Sequence, residues 1–302
     1  MDDQMKDANN YIYRYSWFHL ARPLTLSGTI SPVLVGTAFA ANKAPIDVTI
    51  FIVFFIATLF IQIATNIFND YFDFKHGQDQ QKWLKNAPRK HPKFRELPFV
   101  ACTLLLVAAI LGIWLTVQSG FWLAFVGILG IVFGFCYSAG KYSLASLGLG
   151  EIVAATFLGF ATTMLPYVIQ GNQIDVEIFL IAFPFALMIA TMILTNNVRD
   201  IDKDKGFRRT VPIIIGRTKA IQLLTFMFIV IYTSVIAFMM LDILPKLTVI
   251  VFLASPIAIR LCLYFKDVRV MKKDIDVMKW AAYHHWTFGL LFASAMWVNL
   301  FI

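Results

Sequence analysis

The sequence predicts an all-α, polytopic membrane protein: a bundle of nine transmembrane helices around a cavity that faces the cytoplasm. Three observations carry this expectation. Of the 302 residues 59% are hydrophobic and only 15% charged, against about 45–50% and about 25% in soluble domains. The apolar residues are gathered into runs close to the roughly 20 residues that a helix needs to cross a hydrocarbon core. The basic residues, finally, are segregated to alternate loops, the pattern of cytoplasmic loops in membrane proteins.

The first expected span, near 23–41, is less apolar than the others, with Thr25, Ser27, Gly28, Ser31 and Pro32 at its start. Small residues of this kind let helix backbones approach closely inside a bundle. The second, 48–68, is the clearest, reading VTIFIVFFIATLFIQIATNIF. Spans near 98–118, 121–138 and 149–170 follow, the last with Glu151 inside an apolar run. The sixth, 177–196, ends in a polar stretch, and 219–241 and 245–265 are strongly apolar. The ninth, 281–302, opens with His284 and His285. Adjacent helical residues do not face each other, so these histidines are expected at the membrane interface and not on a metal. Residues 1–22 lack the apolar core of a signal peptide and read as a cytoplasmic tail on one domain, 1–302.

The net charge of +8 follows from topology. Of 26 Lys and Arg, only Lys43 and Lys246 fall in loops of the second face, leaving 24 on the first. That places the N-terminus in the cytoplasm of a multi-pass inner-membrane protein. It leaves no basic surplus for nucleic acid. Cys102, Cys136 and Cys262 lie apart within apolar spans and read as small packing residues.

Chemistry concentrates at two places. Span two ends in TNIFNDYFD and span six in TNNVRDIDKD, each followed by a basic loop. If the helix continues, Asn66, Asp70 and Asp73 fall on one side at i,i+4 and i,i+3 spacing; Asn196, Asp200 and Asp204 repeat the i,i+4 step. Polar groups at membrane depth are costly and usually functional. Two matched clusters on one face suggest one shared site. Paired carboxylates with amide oxygens suit Mg²⁺, which bridges one or two carboxylates to substrate phosphates. Arg199, Lys203, Lys205, Arg208 and Arg209, with Lys75 after the first cluster, point to phosphate as the bridged ligand.

The stretch from Asn66 to Gly77, with Asn69, Asp70 and Asp73, resembles the first aspartate motif of the UbiA-type intramembrane prenyltransferase superfamily. Asn196 to Asp204 followed by Arg208-Arg209-Thr210 is similar to the second. Gly77 in place of a third acid, the early Arg22-Pro-Leu-Thr, SPVLVGTA from Ser31, YSAGK at 137–141 and GLGE at 148–151 resemble the 1,4-dihydroxy-2-naphthoate prenyltransferases of menaquinone synthesis. The resemblance implies that Asn66, Asp70 and Asp73 hold one Mg²⁺, and Asp200 with Asp204 a second. It implies that Arg22, Lys141 and Arg209 neutralise the diphosphate of a polyprenyl diphosphate, with Asn69, Asn196, Asn197, Arg199 and Arg208 also lining the substrate site. Lys205-Gly206-Phe207 makes the loop about one residue shorter than the family spacing, so the choice between Arg208 and Arg209 stays open. Tyr137 would orient the diphosphate or face the allylic cation, although a tyrosine at a span end also serves as an interfacial anchor. Glu151 would touch the aromatic acceptor, or else pair structurally with a buried arginine. Phe68, Tyr71, Phe72 and Phe133 are available to the cation.

The implied reaction transfers the polyprenyl group to 1,4-dihydroxy-2-naphthoate with loss of carbon dioxide. Another aromatic acceptor such as 4-hydroxybenzoate, a transporter of phosphorylated or divalent-cation solutes, and a membrane scaffold are the alternatives. Isoprenoid length and oligomeric state are not encoded in any motif.

Overall fold

The computed structural model describes residues 11–85, 90–140, 142–266 and 275–302. In chain order the elements are β1 (Ile12–Tyr13), α1 (Trp17–Ala21), α2 (Ser27–Lys43), α3 (Val48–Lys75), β2 (Trp83–Leu84), α4 (Leu97–Ser119), α5 (Trp122–Ser138), α6 (Gly150–Val168), α7 (Val176–Arg199), α8 (Ile201–Asp204), α9 (Val211–Ile215), α10 (Arg217–Met240), α11 (Ser255–Lys266) and α12 (Ile275–Val298). Each of the nine expected spans is helical. Among the described residues six helices are long and apolar enough to cross a membrane, and the bent pair Trp17–Thr25 and Ser27–Lys43 would make a seventh. Trp122–Ser138 is apolar but, at 17 residues, shorter.

The chain divides into two compact units. The first comprises the described residues of Met1–Leu26 and Ile56–Ser143. Here α3 runs seven residues past its expected end at Phe68, to Lys75. Asparagine and aspartate are weak helix formers, so packing must hold this extension. It does: Phe68 and Phe74 enter a core with Tyr13, Trp83, Phe94 and Leu97. Residues 11–21, expected as tail, instead pair β1 antiparallel with β2, Tyr13 opposite Trp83, and continue into α1. The Phe74, Trp83 and Phe94 rings pack with centroids 4.7–5.4 Å apart, within the range where aromatic pairs attract.

The second unit comprises Ser27–Phe55 and Leu144–Ile302. Its central helix is α7, with 72% of its apolar window buried against 28% in α10. Helix α2 lies on α6 at Gly36, where a Cβ would overlap the Thr163 carbonyl oxygen. A π-helical turn, Ala155–Ala161, interrupts α6; within it Gly159 sits against Ala186 of α7, leaving no room for a side chain. Residues Lys246–Ala254, ahead of α11, form a 3₁₀ run.

Two expectations are corrected here. His284 and His285, expected as interfacial residues, are enclosed by protein, each 1% exposed. The His284 Nε2 lies 2.8 Å from the Tyr232 hydroxyl, and the ring packs on Phe228. Of the three cysteines only Cys262 is buried; Cys102 and Cys136 are exposed on apolar helices, so they do not pack inside.

Candidate active site

In the first unit the acids stand on the last two turns of α3. Asp70 is 1% exposed and Asp73 8%, and both follow from the helical extension that the aromatic core secures. Two cations hold Asp70. Lys82 donates to Oδ1 at 2.8 Å, and Arg22 pairs with Oδ2 at 3.1 Å. Arg22 also donates to Asn69 Oδ1 at 2.7 Å, and Asn69 Nδ2 donates to Ser138 Oγ at the end of α5. Arg22 occupies the left-handed backbone region, φ 52°, where it caps α1. Non-glycine residues held there by their surroundings gather at functional sites. Asn66 donates its amide to the Ala21 carbonyl, which leaves Oδ1 as the atom suited to a cation.

Lys82 and Asp79 escaped the sequence reading. Asp79 is 8% exposed and pairs with Lys82 at 2.7 Å. Burial alone would lower the Lys82 ammonium, but the Asp70 and Asp79 carboxylates outweigh it and hold the group well above the usual lysine range. The neighbouring Tyr13 phenol is pushed up to about 12 by burial and by the Asp70 charge. Lys75, expected beside phosphate, is exposed and lies 5.8 Å from the Tyr71 ring centroid. Tyr137 is half-buried on α5 next to Ser138. Lys141 lies outside the described residues. The rings of Phe68 and Phe72 stack, and each meets Phe135 edge-on at 5.5–5.6 Å; Phe133 is half-buried.

In the second unit α7 ends at Arg199 and Asp200 caps it, but the expected register survives. The Asp200 amide donates to the Asn196 carbonyl at 3.0 Å, and the Asp204 amide to the Asp200 carbonyl at 2.8 Å. Arg199 grips both oxygens of Asp200, at 2.7 and 2.6 Å, and donates to Asn196 Oδ1 at 2.8 Å. Asp204 is 3% exposed. Arg208 is half-buried with its Nε shielded from solvent, whereas Arg209 is exposed and its amide donates to the Ser146 carbonyl at 2.8 Å. Gly148 permits that approach: its φ is +79° and a Cβ would crowd the Arg209 carbonyl. Glu151 is buried, and its Oε1 accepts from Asn197 at 2.9 Å. Its structural partner is thus an amide, not the buried arginine that was the expected alternative.

Among the described residues no three of His, Cys, Asp and Glu converge on a metal cage. Each cluster instead pairs carboxylates with amide oxygens, a hard donor set. Mg²⁺ fits such a set, since it uses one or two carboxylates and completes its shell with waters and substrate phosphates.

Fold and clusters together define a multi-pass membrane protein with two sets of acids braced by cations at helix ends. Residues 29–298 match the family model described as the UbiA prenyltransferase family. The chain is 31% identical, over 94% of its length and 93% of the relative, to the 1,4-dihydroxy-2-naphthoate octaprenyltransferase of Bacillus subtilis (strain 168). It is 26% identical, over 67% of its length and 70% of the relative, to the enzyme of that name from Haemophilus influenzae. Among solved structures, a UbiA homologue from Archaeoglobus fulgidus bound to GPP and Mg²⁺ superposes with a TM-score of 0.58 at 15% identity, covering 90% of this chain and 99% of that one. A structure from work on digeranylgeranylglyceryl phosphate synthase superposes with a TM-score of 0.63 at 16% identity, covering 98% and 99%. The chain belongs to the UbiA prenyltransferase family, and it is a prenyltransferase.

Proposed function

We propose that this prenyltransferase moves a polyprenyl group from its diphosphate to 1,4-dihydroxy-2-naphthoate, with decarboxylation, to give a demethylmenaquinol. The observation that carries the reading is the buried, doubly braced Asp70 in a chain so similar to a relative named for that acceptor. The whole chain, 1–302, would work as one domain crossing the inner membrane nine times.

Asn66, Asp70 and Asp73, and separately Asp200 and Asp204, are the oxygen donors suited to Mg²⁺. Bound there, Mg²⁺ would neutralise charge on the diphosphate. Arg22, Lys141 and the arginines at 199, 208 and 209 would bind its oxygens; the shielded Nε favours Arg208 as the inward one of its pair. As the allylic C–O bond breaks, its electron pair leaves with the diphosphate. Such fixed cations stabilise the developing anion without reorganising. Phe68, Tyr71 and Phe72, with Tyr137, present aromatic faces to the cationic carbon. A ring carbon of the naphthoate attacks that carbon, and the carboxylate on the same ring carbon departs as carbon dioxide, returning its electron pair to the ring. Glu151, held by Asn197, would position the acceptor.

The test is purified protein with Mg²⁺, a labelled polyprenyl diphosphate and a panel of aromatic acids. Prenylated, decarboxylated naphthoate is the expected product. Turnover of 4-hydroxybenzoate with none of the naphthoate would overturn the acceptor assignment while keeping the prenyl transfer.

A further inference from the structure

Two of the protein's own cations sit on one carboxylate. Lys82 Nζ lies 2.8 Å from Asp70 Oδ1 and 2.7 Å from Asp79 Oδ2, while Arg22 Nη2 lies 3.1 Å from Asp70 Oδ2. Both oxygens of the acid proposed to hold a divalent ion are therefore engaged by positive charge. A divalent ion approaching this carboxylate meets two positive charges already on it, and the repulsion falls when one of them moves away.

Each cation has a second anchor, Lys82 at Asp79 and the Arg22 guanidinium at Asn69, both 2.7 Å away, and the Arg22 backbone is the left-handed cap of α1. Lys82 has an equally fixed backbone: its amide donates to the Asp79 carbonyl at 2.9 Å and its carbonyl accepts from Arg14 at 2.8 Å. The Lys82 charge, however, is a point at the end of a flexible four-carbon stem, whereas the Arg22 guanidinium is a rigid planar fork. From one anchored Cα the ammonium can leave Asp70 without disturbing the strand pair beneath it.

We propose that Lys82 is a built-in counter-ion. It stands on Asp70 before substrate arrives, holds the buried acid in place, and transfers to the diphosphate when cation and diphosphate bind together. The inference rests on the metal and diphosphate reading given above and extends it to a residue outside both aspartate clusters. It has a thermodynamic consequence. Without diphosphate, metal binding must displace Lys82 from Asp70 and leave it with Asp79 alone; with diphosphate, the displaced ammonium gains a second anion. Each ligand therefore strengthens the other, and by linkage the strengthening is equal in both directions.

The test uses the full chain in lipid nanodiscs, with Mn²⁺ binding followed by electron paramagnetic resonance, alone and with inorganic diphosphate. Wild type is expected to bind Mn²⁺ weakly alone and much more tightly with diphosphate. Lys82→Met is expected to bind Mn²⁺ alone about tenfold more tightly and inorganic diphosphate about tenfold more weakly, the scale of one charge-assisted contact, so that the coupling collapses. Lys82→Arg should retain the coupling. Lys82→Gln keeps hydrogen-bonding capacity without charge; it should follow Lys82→Met, and serves in its place if the methionine variant does not fold. Unchanged or weaker Mn²⁺ binding without diphosphate in the uncharged variants would overturn the inference alone, provided wild type binds the pair. Wild type binding Mn²⁺ under neither condition would remove the metal reading itself, and the inference with it.

Discussion

Asp70 is a buried carboxyl group at the end of an apolar helix, and the Arg22 and Lys82 cations make that tolerable. Removing its charge leaves Arg22 and Lys82 facing each other without their common partner, so Asp70→Asn should lower both turnover and stability. With charge-assisted contacts worth about 1.5–3 kcal/mol each, turnover is expected to fall by at least about a hundredfold, measured beside a thermal melt that confirms a folded protein. Near-normal turnover would remove Asp70 from the chemistry. Glu151→Gln is a contrasting case. The glutamine can still accept from Asn197, so the fold should survive. The Michaelis constant for the naphthoate should rise about tenfold or more, as when a hydrogen bond to a charged group is lost, with affinity for a non-hydrolysable prenyl diphosphate unchanged. If diphosphate affinity falls instead, Glu151 belongs to the leaving-group side. The acids themselves were legible from spacing, because an i,i+4 pattern at the end of an apolar run is a local signal. Lys82 was not: it lies 12 residues from Asp70, among many loop lysines, and only the β1–β2 pairing selects it.

At the scale of elements, the spanning helices were legible because burying backbone in an apolar environment demands closed hydrogen bonding over long apolar runs. What escaped were features set by contacts distant in sequence. The two-residue strands are too short to leave an alternating pattern, and they form because Tyr13 and Trp83 share an aromatic core with Phe74 and Phe94. The same core carries α3 onward to Lys75 against weak local propensity. The π turn in α6 likewise has no local signature; Gly159 marks it only once Ala186 is seen against it. Close approaches of this kind make sharp predictions. Gly36→Val would drive a branched side chain into the Thr163 carbonyl and the Pro166 ring, separating α2 from α6. Overpacking of this sort typically costs about 1–3 kcal/mol, so the midpoint of thermal unfolding should drop by several degrees. The same change at Gly127, whose Cβ would meet nothing within 4 Å, should leave the midpoint nearly unmoved. Equal effects at both positions would mean that helix propensity, and not packing, sets the response.

For the whole molecule the governing quantity is where the charges lie relative to the bilayer. All but two of the basic residues lie in loops or near span ends expected on one membrane face. Moving lysines and arginines across a membrane is unfavourable, so retained loops carry them. Lys85 follows β2 after the second span, and Asn172 lies beyond the C-terminal end of α6, after the fifth. Three crossings separate them if α4, α5 and α6 each span, and α5 is the helix in question because it has only 17 residues. Single cysteines at Lys85 and Asn172 therefore test that crossing directly. The native Cys102, Cys136 and Cys262 would first be replaced by alanine, since two of them are exposed on apolar helices and would compete for label. In intact cells a membrane-impermeant maleimide should modify Lys85→Cys only after permeabilisation and Asn172→Cys without it. Labelling of both from the same side would mean that α5 or another of the three does not cross, and the acids at the end of α3 would lose their assignment to the cytoplasmic face.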